Sequence, residues 1–375
     1  MAAARFTITT ALALSLSGLA ATSMAQSETP KLVTTIPPLA AIASDVFDGV
    51  GETSLLIRNG GSPHAYSLRP SDAATLADAD YVLWVGEGLE TFLAGKLDTL
   101  APTAVQIEAM ELPGLTLLEY RPEAHGHHDD HHGDHDDHGH DDHGHDDHKD
   151  HDDHEKHAHD DHGHNDHGHD DHGHDDHGHD DHKDHHDHEE HAGHDHHGHN
   201  HAAGDDDVHI WTDPENALAI AVGLAGAVRP DLDADQQVKL DANLAAVRAA
   251  YTALDEEVAA KLAPVSDKPF LTFHDAYQYM EVAYDMNYQG AVTVSPEVKP
   301  GAASLRALRQ EVANDGIVCI FAEPQFEPRA INTIAEGLEV KKGILDPLGD
   351  AEFATKGGYE KFIRQLVAGY TDCLG

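Results

Sequence analysis

The sequence predicts an α/β fold in two similar halves, and three observations carry that prediction. From Lys31 to about Tyr120, short β-branched or apolar runs alternate with helical patterns, the rhythm of a parallel sheet covered by helices. The same rhythm returns after Pro269. Between the halves, "DADQQVKLDANLAAVRAAYTALDEEVAAKLAPV", about Asp233 to Val265, is rich in Ala, Leu, Glu and Lys and has no Gly or Pro before Pro264. It reads as one helix, and at 1.5 Å per residue it covers roughly 45 Å. That length suits a strut joining two lobes, or a covered helix of one large domain. The 375 residues suffice for two domains of ordinary size.

Taken in order, the chain opens on a targeting segment. Arg5 gives a positive start, "ALALSLSGLAA" is an apolar run of signal-peptide length, and Ser23 and Ala25 suit cleavage before Gln26. The run is too short to span a bilayer. With no cysteine near the cleavage point, residues 1–25 read as a signal peptide, and the mature chain as an exported, periplasmic protein without a lipid anchor. In the first half, "KLVTTI", "TSLLI", "YVLWVG" and "TAVQI" read as strands, and "LAAIASDVF", "PSDAATLADA" and "LETFLAGKLDTL" as helices. In the second, "FLTF", "GAVTV", "IVCIFA" and "VKKGIL" read as strands. "AYQYMEVAY", "AASLRALRQEVAN", "RAINTIAEGL" and "YEKFIRQLVAGY" read as helices. The expected domains are 26–230 for an N-terminal lobe, 231–266 for the linking helix and 267–375 for a C-terminal lobe.

Residues 123–207 interrupt the first half with a repeat of units such as HGHDD. The segment has almost nothing apolar to bury, so it cannot offset the entropy of ordering, and it reads as a disordered His/Asp-rich loop. It holds 31 acids and 3 lysines, which accounts for −28 of the formal net charge of −46. No basic face is left for nucleic acid; the acidity points to cations. Of 36 histidines, 33 lie between His125 and His201.

The chain has two cysteines, Cys319 in the strand-like "GIVCIF" and Cys373 near the C-terminus. An exported chain with two cysteines usually pairs them. Such a bridge pins the last helix to a strand and is worth roughly 4 kcal/mol by the chain-entropy model. No CxxC spacing favours metal binding by these residues.

The other three histidines carry more information than the 33. His64 lies in "GGSPHAYSLRPSD", after a strand, where Gly60, Gly61 and Pro63 force an irregular loop. His209 lies in "DVHIWTDPENA", before a helix opened by Asp213 and Pro214. His274 lies in "FLTFHDAYQYM", at the carboxyl end of a strand, the edge where open α/β sheets place ligands. Asp346 in "GILDPLGD" also follows a strand. Each alone could be a structural residue. Together, three imidazoles and a carboxylate make a tetrahedral set that suits Zn2+ and disfavours Ca2+ and Mg2+. The separations of 145, 65 and 72 residues add little; the local patterns carry the weight. Asp275, Glu215 and Glu323, beside these positions or in "FAEPQF", are read as imidazole-supporting or structural acids rather than ligands.

"GGSPHAYSLRPSD", "DVHIWTDPENA", "FHDAYQYM" and "LDPLGD" resemble the signature segments of the metal-binding substrate-binding proteins of bacterial ABC importers. The His/Asp-rich insertion resembles that of the zinc-uptake members (ZnuA type). The resemblance runs over nearly all of 31–375. It implies two α/β lobes, each a parallel sheet covered by helices, joined by one long connecting helix, with Zn2+ carried in the cleft as cargo. It implies His64 and His209 as ligands from the first lobe and His274 from the second, with Asp346 or water in the fourth position. It also implies a Cys319–Cys373 bridge. Manganese-selective members typically carry Glu where this chain has His274. The implied partner is the membrane permease of a zinc ABC importer, with other periplasmic zinc-binding proteins as further candidates, and the chain is expected to be a monomer and no enzyme. The loop is expected to gather or sense zinc. One rival is a zinc buffer or metallochaperone working mainly through the loop. Another is a zinc hydrolase, which the absence of HExxH and GxSxG disfavours.

Overall fold

The structure is a computed structural model describing residues 29–121 and 205–375, apart from 59 and 294. The expected signal peptide and nearly all of the His/Asp-rich insertion lie outside the described residues.

The first lobe contains β1 (Lys31–Thr34), α1 (Pro37–Phe47), β2 (Glu52–Leu55), α2 (Pro70–Ala77), β3 (Tyr81–Trp84), α3 (Leu97–Leu100) and β4 (Val105–Glu108). After the insertion come α4 (Pro214–Val228) and α5 (Ala234–Leu262). The second lobe contains β5 (Phe270–His274), α6 (Gln278–Ala283), β6 (Tyr288–Thr293), α7 (Ala302–Asn314), β7 (Cys319–Ala322), α8 (Arg329–Ala335), β8 (Lys341–Ile344) and α9 (Gly358–Leu374). Each lobe builds one four-stranded sheet with every pair parallel, in the orders β2-β1-β3-β4 and β6-β5-β7-β8. The strand order reverses between β1 and β3 in one sheet and between β5 and β7 in the other, and each reversal opens a crevice at the carboxyl edge.

Strands covered on both faces read as continuous apolar runs; β3 is buried at all four positions and β5 at all five. Alternation along a strand then decides which core each side chain joins. Tyr81 and Leu83, Phe270, and Cys319 and Phe321 face one continuous core that also takes in α1, α4, α5 and α9. Val82 and Trp84 face a smaller core outside the first sheet, and Leu271 and Ile320 one outside the second.

The long helix is capped as its sequence suggests: Asp233 accepts from the Gln236 amide at 2.9 Å and Gln236 reciprocates at 3.0 Å. Its buried residues, Leu240, Asn243, Val247, Tyr251, Leu254, Val258 and Leu262, form one narrow stripe at steps of three and four. That stripe packs on α1 and α4 of the first lobe and on α9 of the second, so α5 ties the two lobes rather than covering one. One expected helix is much shorter than read. "LETFLAGKLDTL" is helical only over Leu97–Leu100, because Gly95 adopts φ +63° and breaks the run. Cys319 and Cys373 are disulfide-bonded with their Cα atoms 6.1 Å apart, fastening α9 to β7.

Candidate metal centre

Three local devices bring the three histidines together. His64 sits in a 3-10 turn, Pro63–Ala65, whose proline fixes its start. His209 precedes a second such turn, Ile210–Thr212, where the Thr212 hydroxyl donates to the His209 carbonyl at 3.0 Å. His274 is the last residue of β5, at the reversal point of the second sheet. All three are buried. Their ring centroids lie 5.3 to 5.9 Å apart, and their ligand atoms all fall within 4.8 Å of one another.

Carboxylates orient two of the rings. Asp207 Oδ1 lies 2.7 Å from His209 Nδ1 and also accepts the His209 amide at 3.0 Å. Glu323 Oε1, just beyond β7, lies 2.6 Å from His274 Nδ1. A proton on each Nδ1 satisfies these contacts and leaves the Nε2 lone pair for a metal, the arrangement by which carboxylates fix the tautomer of ligating imidazoles. His274 Nε2 is buried without a hydrogen-bond partner. Burial opposes charging His274, but the carboxylates around it, Glu323 first and then Asp275 and Asp207, together raise the imidazole above its ordinary range. Trp211, Glu323 and Phe326 complete a small cavity with the three histidines, about 10 Å3 in volume. That is room for a single ion or water. Three convergent imidazoles in so small a space fit a borderline-soft divalent cation such as Zn2+.

Asp346 stands in the loop after β8, and its carboxylate is not gathered with the three imidazoles. Its Oδ1 accepts from Gln325 Nε2 at 2.6 Å and from the amides of Leu348 and Gly349 at 3.0 Å each. Glu215 is in the first turn of α4, where its amide donates to the N-cap Asp213. Asp275 pairs with Arg121 at 3.2 Å. Glu323, read from sequence as structural or near the cleft, is the partner of His274. Asp207 escaped that reading because it closes an acidic run that looks like the end of the repeat; its place two residues before His209 was the available signal.

Two α/β lobes with a buried histidine trio between their sheet edges make a cleft that could hold a metal ion. The chain belongs to the family described as zinc-uptake complex component A, periplasmic, whose model matches residues 32–373. It is 38% identical over 359 residues to the high-affinity zinc uptake system protein ZnuA of Brucella abortus (strain 2308), covering 96% of each chain. It is 32% identical over 351 residues to the protein of the same name from Yersinia pestis, covering 92% of this chain and 91% of that one. A crystal structure of ZnuA shares the fold, with a TM-score of 0.64 at 18% identity, covering 93% of this chain and all of that one.

Proposed function

We propose that this protein is the periplasmic zinc-binding component of a zinc ABC importer. It captures Zn2+ between its lobes on His64, His209 and His274 and delivers it to the membrane permease. The observation that carries the reading is the buried trio, with ligand atoms within 4.8 Å and two rings pre-aimed by Asp207 and Glu323. A site already aimed spends little free energy on ordering when the ion arrives. Each imidazole must be neutral to bind, so loading releases any proton held there. The three hydrogen bonds to Asp346 all fall on Oδ1, and the fourth ligand is Asp346 or water.

The family's description and the names of the relatives support zinc as cargo, the periplasm as compartment and an uptake system as partner. The cavity admits an ion and little else, which favours a carrier over a hydrolase, since a hydrolytic zinc needs room for substrate. Among the described residues no helix is long and apolar enough to cross a membrane. The His/Asp-rich insertion, by its composition, supplies further, weaker sites that gather zinc or sense its abundance.

The test is isothermal titration of the full chain against a competing chelator. Substituting His64→Ala, His209→Ala and His274→Ala together removes the tight event and keeps the weak ones. A tight event that survives the triple substitution overturns the assignment.

A further inference from the structure

The chain just before the insertion and the insertion's last three residues, Asp205 to Asp207, form a short two-stranded stem. The Tyr120 amide donates to the Asp205 carbonyl at 2.9 Å and the Asp207 amide to the Leu118 carbonyl at 2.7 Å, around an antiparallel bridge between Glu119 and Asp206. The stem belongs in sequence to the first lobe, yet it docks on the segment of the second lobe that follows His274. Gln278 Nε2 donates to the Glu119 carbonyl at 3.1 Å. The Tyr279 hydroxyl donates to the Asp207 carbonyl at 2.5 Å and accepts from the Leu118 amide at 3.2 Å, so one oxygen holds both strands. Arg121, on the last turn of chain before the insertion, reaches Asp275 at 3.2 Å and Glu281 at 2.7 Å, with its guanidinium 4.0 Å from the centroid of the Tyr288 ring.

The stem therefore touches both sides of the metal centre. At one end Asp207, which orients His209, is held by Tyr279. At the other, Asp275, the neighbour of His274, is held by Arg121. We propose that Tyr279 and Arg121 are positioning residues that set the spacing of His209 and His274, and that the stem couples the root of the His/Asp-rich insertion to the metal centre. The inference rests on the histidine trio being the zinc site. His209 and His274 come from different lobes, so their convergence depends on contacts that cross between lobes. Metal coordination tolerates only a few tenths of an ångström. On the far side of His209 a second crossing bond, Trp211 Nε1 to the Pro347 carbonyl at 2.7 Å, holds the lobes together. Loss of a stem contact thus loosens the site without parting the lobes. Coupling of this kind is reciprocal: cleft loading tightens the stem to the extent that the stem tightens the cleft.

The test uses the full chain with Tyr279→Phe, Arg121→Lys and, as control, His64→Ala. Three properties are read: zinc affinity by chelator competition, the visible absorption of the Co2+-loaded chain, and hydrogen exchange at the Tyr120 and Asp207 amides on adding one equivalent of zinc. Tyr279→Phe is expected to weaken the tight event by about tenfold, the lower end for loss of a group that orients a ligand. It should also shift the Co2+ band and abolish the zinc-dependent protection of the two amides, while the metal-free chain still melts cooperatively. Arg121→Lys keeps the charge but loses the planar group over Tyr288 that places Nη1 between Asp275 and Glu281, and should move all three readouts the same way; if it fails to fold, Tyr279→Phe alone decides. Wild-type affinity, Co2+ spectrum and amide protection in Tyr279→Phe overturn the proposal. If instead His64→Ala keeps the tight event, it is the metal-centre reading that falls.

Discussion

Glu323 holds His274 across the carboxyl ends of two neighbouring strands: the carboxylate follows β7, the imidazole ends β5, and 2.6 Å separates Oε1 from Nδ1. The contact sits where the order of the second sheet reverses, so the backbone fixes both partners. Replacing the carboxylate keeps the shape and removes the charge. Glu323→Gln should weaken zinc binding by about 10- to 100-fold with little loss of folded structure, read by chelator competition and circular dichroism. Unchanged affinity would show that His274 needs no carboxylate to face the ion.

His274 is also the residue on which metal choice should turn. Nitrogen ligands favour Zn2+ over Mn2+ along the Irving–Williams series, whereas carboxylate oxygen suits Mn2+. His274→Glu should lower zinc affinity more than manganese affinity in competition titrations. Equal losses for both ions would mean that selectivity is set elsewhere.

The chain leaves and re-enters the described fold through the bridge between Glu119 and Asp206. Deleting 125–201 keeps that stem and both sheets. The stoichiometry should fall to one zinc per molecule, with the tightest dissociation constant changed by less than about threefold, since a preformed site needs no ligand from the repeat. Loss of the tight event on deletion would place the primary site in the repeat.

The Cys319–Cys373 bridge closes a sequence separation of 54 residues and staples α9 to β7. Alkylation of the exported protein without reductant should find no free thiol. Cys319→Ala with Cys373→Ala should lower unfolding stability by roughly 4 kcal/mol. Two alkylated cysteines in the native protein would contradict the pairing.

Glu90 gives the first lobe its own pH dependence. Its buried carboxylate accepts from the Thr35 hydroxyl, from the Val85 amide at 3.1 Å and from the Gly86 amide at 3.0 Å. Burial outweighs those bonds and pushes it up to about 7. A carboxyl that holds its proton better folded than unfolded stabilises the fold fully below its unfolded value, near 4.5, and that contribution is lost as pH rises through the folded value. Relative to Glu90→Gln, the metal-free wild type should therefore lose on the order of 1–3 kcal/mol of stability between pH 5 and pH 8, measured by urea unfolding. A flat difference across that window would show that Glu90 is ionised throughout.

The histidine trio was legible because so few histidines lie outside the repeat and each falls at a strand end or a turn, where backbone geometry rather than helix packing sets the side chain. The two sheets were legible from alternation of strand and helix patterns, and α5 from its uninterrupted composition. The failures have physical reasons. Gly95 takes a left-handed conformation that a helical pattern of neighbours conceals. Asp207 is compositionally part of an acidic run, and only the fold turns it toward His209. Asp346 lies on the expected loop; that Gln325, Leu348 and Gly349 all donate to its Oδ1 is a detail only the fold supplies. Strand order, and with it the meeting of Glu323 and His274, follows from long-range pairing that no local pattern encodes.

The continuous core between the two sheets has a mechanical consequence. Trp211, Tyr251, Tyr277, Tyr359 and Tyr370 are each no more than 1% exposed within it, and they come from both lobes and the helix between. A jaw swinging wide would wet several of these rings at once, at roughly 1.5–3 kcal/mol for each large apolar side chain. The cheap displacements lie at the rim, where the half-buried Ser62 hydroxyl meets the exposed Glu297 at Oε1 across the mouth at 2.8 Å. If the trio is the zinc site, the opening that admits an ion is expected at these two loops with the frame behind them unchanged, more like a spring clip than a hinged trap.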